Sequence, residues 1–239
     1  TTTINLAAAM VAEGLRVLIV DLDPQGNAST GLGIEASDRE LTTYELLLED
    51  IALGEVIQKT QTEGLNIVPA TVDLSSADIE LMANEKRSFL LHDALRQPLM
   101  DDYSYDFILI DCPPTLGLLT INALAAADSV IMPIQCELLS LYGLKHLLDT
   151  IQLVREEVND RLQIKGFLLT MYDGRTRLSR DVEENVRETF GSLVFETVIR
   201  RRIKLAEAPA AGQPITVFAP SSDAASDYRQ LARELLNRE

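Results

Sequence analysis

The chain has 239 residues, 46% of them hydrophobic, and a formal net charge of −16. That size and apolar fraction predict one α/β domain with a full core, while the bulk negative charge excludes attraction of nucleic acid by the surface as a whole. No apolar run approaches the roughly 18 residues of a membrane helix. The opening Thr1-Thr-Thr-Ile-Asn lacks the basic start of a signal peptide.

In chain order, residues 2–13 predict a helix stopped by Gly14. It leads into Val17–Asp21, an apolar run ending in a carboxylate, which suits a strand buried on both faces of a parallel sheet. At Asp21-Leu-Asp23 the chain leaves the sheet, and Pro24 and Gly26 exclude regular structure. Residues 28–34, with Gly31 and Gly33, read as a mobile connector. Short helices are expected at 44–48 and 53–58, a strand at 65–69, and helices at 74–82 and 89–99. Phe107–Asp111 is a second central strand, followed by a helix at 118–127 and a strand at 130–134. Residues 139–158 form a long amphipathic helix with Leu144, Leu147, Leu148, Ile151 and Val154 on one face. A strand at 166–171, a helix at 182–190, a strand at 195–199 and a closing helix at 223–236 complete the alternation. The expected fold is a doubly wound, mostly parallel sheet flanked by helices.

Ligands of open α/β sheets sit outside the carboxyl ends of the strands. The first strand therefore delivers Asp21 and Asp23 to such a site. Phe107–Asp111 repeats the design: an apolar strand, a terminal Asp, then Cys112-Pro113-Pro114. Side by side, the two strands bring Asp21, Asp23 and Asp111 to one edge, and such oxygens suit Mg²⁺ bound with a nucleotide phosphate. One Asp after a buried strand is as often a turn residue or helix cap; the repetition favours chemistry.

Cys112 and Cys136 both close apolar runs and read as small buried hydrophobes in a reducing cytosol. With only His92 and His146 besides, no zinc site is expected. Gln135 and Glu137 follow the 130–134 strand and read as core or capping residues. Basic charge is concentrated. From Met171 to Leu205 there are eight Lys/Arg against six Asp/Glu, whereas the remainder carries 13 basic and 31 acidic residues.

The stretches T-T-T-I-N-L-A, V-D-L-D-P-Q-G-N-A-S-T-G-L-G, I-D-C-P-P-T-L-G-L-L-T-I-N-A-L, L-L-T-M-Y-D-G-R-T and L-A-E-A-P resemble the ParA/Soj family of chromosome- and plasmid-partitioning ATPases. That family lies within the deviant-Walker P-loop class that includes MinD. The resemblance spans essentially the whole chain. It implies a cytoplasmic, nucleoid-associated ATPase using ATP and Mg²⁺ and dimerising around two ATP molecules. The homodimer binds nonspecific DNA and releases it after hydrolysis stimulated by a ParB-type centromere-binding partner. No membrane is involved.

Residue by residue, the resemblance makes Asp23 the switch I aspartate that positions the attacking water, with Asp21 the preceding strand-end acid near the metal. Asp111 matches the Walker B aspartate that reaches Mg²⁺, partly through water. Pro113, Pro114 and Gly117 match switch II. Thr1 matches the threonine after the Mg²⁺-binding one, a neighbour of the phosphates. Arg201 and Pro209 fall in the nucleotide-binding segment, and Arg175, Arg200, Arg202 and Lys204 fall where relatives contact DNA. The family's K-G-G-V-G-K-T loop and first strand have no counterpart, which implies an N-terminal truncation. The sequence as it stands is expected to hydrolyse no ATP. Ile199-Arg-Arg-Arg202 replaces the usual I-P-R-N. Two other readings are a MinD-like membrane-associated positioning ATPase and a non-hydrolysing scaffold. The first needs a basic amphipathic tail, which the mixed charges of residues 228–239 do not supply.

Overall fold

The structure, a computed structural model, describes every residue except Asp50, residues 97–103 and Glu239. At its centre is β1 (Val17–Asp21), buried at all five positions. It pairs in parallel with β3 (Leu65–Val68) on one side and β4 (Phe107–Asp111) on the other. The two-residue β2 (Gln58–Lys59) adds antiparallel to β3, giving the order β2-β3-β1-β4. A second parallel pair, β5 (Ser129–Gln135) and β6 (Gln163–Thr170), stands apart. The expected single sheet is therefore divided: among the described residues, β4 and β5 share no ladder.

Alternation along β1 explains the layers. Val17 and Ile19 enter a core with α1 (Thr2–Ala12) and α12 (Asp223–Leu236), where Ile4, Tyr228 and Leu231 are buried. Leu18 and Val20 face the opposite way, into a core completed by α3 (Thr43–Leu48), α6 (Leu90–Leu95) and α7 (Leu118–Ala126). Successive strand side chains point to opposite faces, so a run apolar at every position needs cover on both. The second pair carries α8 (Leu138–Glu157) and α9 (Arg177–Phe190). The predicted α8 stripe is there: Leu144, Ile151 and Val154 are buried and Leu147 and Leu148 pack against them.

Several expectations are corrected. Residues 28–34 are not a loose connector, because α2 (Asn27–Gly31) is helical and the Asp21 carboxylate holds its Ser29 amide. Residues 195–199 make no ladder strand. They run beside β6 with Phe195 N donating to Phe167 O and Ile199 N to Leu169 O, both at 2.9 Å, and are flanked by the isolated bridges Phe167–Val194 and Tyr172–Arg200, but the amides of Glu196 and Thr197 donate to Glu234 of α12. The helix expected at 74–82 is a 3₁₀ turn (Val72–Ser76) running into α5 (Ala77–Glu80). The end of the one expected at 89–99 lies outside the described residues. α9 begins five residues early because Thr176 caps it, its Oγ1 accepting from Ser179 N at 3.3 Å. Cys112 is exposed in the loop after β4, and only Cys136 is buried. Gln135 and Glu137 are exposed too, and Glu137 makes no side-chain cap to α8. Short helices not foreseen are α10 (Ile203–Glu207) and α11 (Ile215–Phe218); α4 (Leu53–Val56) lies where expected.

Leu231 is fully buried where α12 meets α1. Leu231→Ala is expected to cost about 2–5 kcal/mol, read as a lower urea midpoint with an unchanged slope.

Candidate functional site at the ends of β1 and β4

Asp21 and Asp111 are register partners at the last rung of the β1–β4 ladder. One more bond, Leu22 N to Asp111 O at 2.8 Å, holds the two exits together. This is the juxtaposition that the two D-ended strands predict. The three carboxylates then do different things.

Asp21 is fully buried. Its Oδ2 accepts from Ser29 N at 2.9 Å and Ser29 Oγ at 2.7 Å, and its Oδ1 accepts from Asp23 N at 3.2 Å. Burial pushes its carboxyl above the usual 3.8, with the Ser29 bonds pulling the other way and Asp111 adding to the rise. Both oxygens of Asp21, the acid expected near the metal, thus accept hydrogen bonds from the turn that follows. Asp23 is half-buried, and its Oδ1 accepts from Gln25 N at 3.0 Å. The turn Asp23-Pro-Gln-Gly26 closes through Gly26 N to Asp23 O at 2.8 Å. Gly26 sits at φ 61°, where a glycine is favoured.

Asp111 is half-buried and accepts a hydrogen bond from Thr3 Oγ1. Thr3 lies in the first turn of α1, whose leading amides have no intrahelical acceptors. With no acidic residue in that turn, the positive end of α1 stands beside the two strand exits. Thr1 is exposed, and its carbonyl accepts from Asn5 N at 3.2 Å and Asn5 Nδ2 at 2.9 Å. Among the described residues no three His, Cys, Asp or Glu side chains gather as a metal-binding group. The expected three-acid cluster is not gathered as one group; of the three, Asp23 and Asp111 are the acids at the strand exits not enclosed by Ser29. Mg²⁺ takes one or two carboxylates alongside phosphates and water, so this pair beside a helix N-terminus fits a magnesium–phosphate group.

After Asp111, Pro113, Pro114 and Gly117 line the loop to α7, with Gly117 at the cap position and Thr120 Oγ1 donating to Thr115 O at 2.6 Å. The 208–212 segment, with Pro209, seats on the end of α2. A Cβ on Gly212 would meet Gly33 Cα at 2.7 Å, so only glycine allows this approach. Arg201 donates its amide to Tyr172 O at 3.0 Å and leaves its side chain exposed.

That same link brings the loops at 172–175 and 200–202 together, so the basic residues share one surface. Most are internally paired. Arg175 forks onto Asp173, with Nε–Oδ1 at 2.9 Å and Nη2–Oδ2 at 2.8 Å, and its own hydrogen bonds hold the Asp173 carboxyl down at about 2. Arg202 pairs with Asp223 at 3.0 Å, and the Lys204 ammonium lies 5.6 Å from the Phe218 ring centre. Arg200 donates to Asp227 Oδ1 at 2.7 Å, and that carboxylate is buried with Oδ2 unpartnered. Removing Arg200 would strand a buried charge. Arg200, expected where relatives contact DNA, is thus paired with α12 while its side chain remains about half exposed.

Functional residues that the sequence did not single out are Thr3, Ser29 and Thr43. Thr43 Oγ1 donates to Asp21 O at 2.6 Å and tethers α3 to the end of β1. Ser29 and Thr3 stand in the first turn of helices rich in short side chains; that is the only signal they carry.

Comparison with known proteins bears on the family and the fold. Residues 1–164 match a family model described as an AAA domain. The chain is 47% identical to the sporulation initiation inhibitor protein Soj of Bacillus subtilis over 235 residues, covering 98% of this chain and 92% of Soj. It is also 47% identical to the chromosome partitioning protein ParA of Myxococcus xanthus over 239 residues, covering 100% of this chain and 83% of that one. Among solved structures, cobyrinic acid a,c-diamide synthase of Mycobacterium smegmatis with bound ADP and magnesium superposes with a TM-score of 0.84 at 36% identity, covering 99% of this chain and 87% of that one. Fold and strand-end acids together define an α/β domain of the P-loop NTPase class. Within that class, the chain belongs to the ParA/Soj family of chromosome-partitioning ATPases.

Because the Asp21 carboxyl is raised in the fold, its contribution to stability is complete below 3.8 and is lost as pH climbs through the raised value. Asp21→Asn is expected to flatten that part of the stability–pH curve in urea titrations. For Asp173 the sign is opposite. Carboxyl NMR should find it titrating at about 2 and, in Arg175→Ala, moving back toward 3.8.

Proposed function

We propose that this chain is the body of an ATP-dependent DNA-partitioning ATPase, a single domain whose Asp23 and Asp111 act on a magnesium-bound nucleotide. The observation that carries the reading is the β1–β4 register, with Asp111 held by Thr3 at the positive end of α1. Phosphoryl transfer asks for positioning and charge neutralisation rather than a nucleophilic side chain, which suits a site made of two carboxylates and helix amides. Mg²⁺, when bound, neutralises charge on the phosphates. Asp111 would hold that metal, with Thr3 fixing the carboxylate's orientation. Asp23, on its closed turn, orients the attacking water. Asp21 acts through the backbone by shaping that turn.

ATP binding joins two copies into a homodimer, and the loops carrying Arg175, Arg202 and Lys204 then meet nonspecific DNA. Exposed ion pairs of the Arg175–Asp173 and Arg202–Asp223 kind are weak because water screens them, so a phosphate can displace the internal acid. Hydrolysis, stimulated by a ParB-type partner, dissolves the dimer and frees the DNA. The setting is the cytoplasm, on the nucleoid. A membrane-surface role has less support. The apolar side of α12 is buried against α1, and no described helix is long and apolar enough to cross a membrane.

In the full-length gene product, magnesium-dependent ATP hydrolysis is expected, and Asp23→Ala should lower kcat by about 10²-fold or more with dimerisation retained. Arg175→Ala with Lys204→Ala should weaken DNA retardation and reduce the salt slope by about 2, since each cation removed leaves one more phosphate with its counterion. Unchanged retardation by the double variant contradicts the DNA surface; undiminished turnover by Asp23→Ala contradicts the site.

A further inference from the structure

Arg39 has no place in the site described so far, yet its guanidinium is spent entirely beside it. Nη2 donates to Thr30 Oγ1 at 2.8 Å and to Ile34 O at 2.7 Å, Nε donates to Ile34 O at 3.1 Å, and Nη1 donates to Ala70 O at 2.9 Å. These acceptors belong to α2, to the segment after it, and to the exit of β3. No carboxylate lies within ion-pairing distance among the described residues. The nearest acids felt through space are Asp21 and Glu35, while partial burial weakens the guanidinium's hold on its proton. The group also covers the catalytic turn. A Cβ on Gly26 would sit 2.3 Å from Arg39 Nη1 and 2.8 Å from Ala70 O. Beneath it, Ser29 Oγ links the same parts, donating to Asp21 and accepting from Ala70 N at 3.1 Å.

A half-buried arginine normally recovers its desolvation from a carboxylate. Here it recovers it from backbone carbonyls and one hydroxyl on two separate pieces of chain, residues 30–34 and the exit of β3. A planar fork with five fixed donors can do that, and a point-charge ammonium cannot. We propose that Arg39 is a positioning residue that clamps the Asp23–Gly26 turn between α2 and the end of β3, so that the Asp23 carboxylate is presented in one orientation. The proposal rests on the reading of Asp23 as the water-orienting acid. Arg39 acts through the turn and touches no reacting atom.

The test has two arms. In the first, hydrogen exchange is followed on the nucleotide-free protein for the wild type, Arg39→Gln, Arg39→Lys and Thr30→Val. The amides of Asp23, Gly26 and Ser29 are expected to exchange about tenfold faster in both Arg39 variants, with β1 unchanged, and Thr30→Val should show part of the effect without risk to the core. In the second, ATP hydrolysis by the full-length protein should show kcat lowered by about tenfold in Arg39→Gln with KM for ATP near wild type. Arg39→Lys should fail to rescue, and Gly26→Ala combined with Arg39→Gln should be no worse than either alone. Unchanged exchange at residues 23–29, or full rescue by lysine, overturns the clamp. Faster exchange with undiminished kcat overturns its link to Asp23. If the wild type hydrolyses no ATP, the ATPase reading falls, and the exchange arm alone decides whether the clamp exists.

Discussion

The structure depends on the parallel register that sets Asp21 opposite Asp111 at the last rung between β1 and β4. Two aspartates side by side at the end of a buried ladder repel, and burial raises the cost for Asp21. The fold resolves this by dividing their labour. Asp21 is wrapped by the amides and hydroxyl of its own downstream turn, while Asp111 is left half-exposed against Thr3 and the start of α1. One acid becomes a structural acceptor, and the other stays partly open at the strand edge. A shift of one residue in that register would turn β1's apolar side chains to the wrong layers and separate the acids.

The same economy governs the basic surface. A chain at −16 can present cations to a polyanion only where local geometry gathers them. The Tyr172–Arg200 bridge does so by joining two loops. Internal pairs with Asp173 and Asp223 neutralise Arg175 and Arg202 within that surface. The pairs differ in how readily they open: Arg175 and Arg202 are matched with solvent-accessible acids, whereas Arg200 secures a buried one. The loop therefore has a fixed hinge and two exchangeable pairs.

Much of this could be read from residue order. Apolar runs ending in Asp gave β1, β4 and their edge, helical spacing gave α8 and its buried stripe, and α12 was expected as a closing helix. What could not be read was whatever hydrogen bonds across the chain decide. Residues 195–199 have the composition of a strand, but Glu234, 37 and 38 residues further on, takes two of their amides. Gly31 and Gly33 suggested mobility, and the Asp21 carboxylate instead fixes the preceding helix. Arg39 looks like any surface arginine until Gly26, Thr30 and Ala70 are brought around it. The division of the sheet between β4 and β5 likewise depends on which strands meet, which alternation alone leaves open.

The most direct measurement is a crystal structure of the full-length protein with magnesium and a non-hydrolysable ATP analogue. The expected result is the metal bound to the triphosphate and joined to Asp111 directly or by a single water, with the Asp23 carboxylate facing the terminal phosphate and Asp21 still enclosed by Ser29. A nucleotide seated elsewhere, with Asp23 and Asp111 remote from the metal, would contradict it.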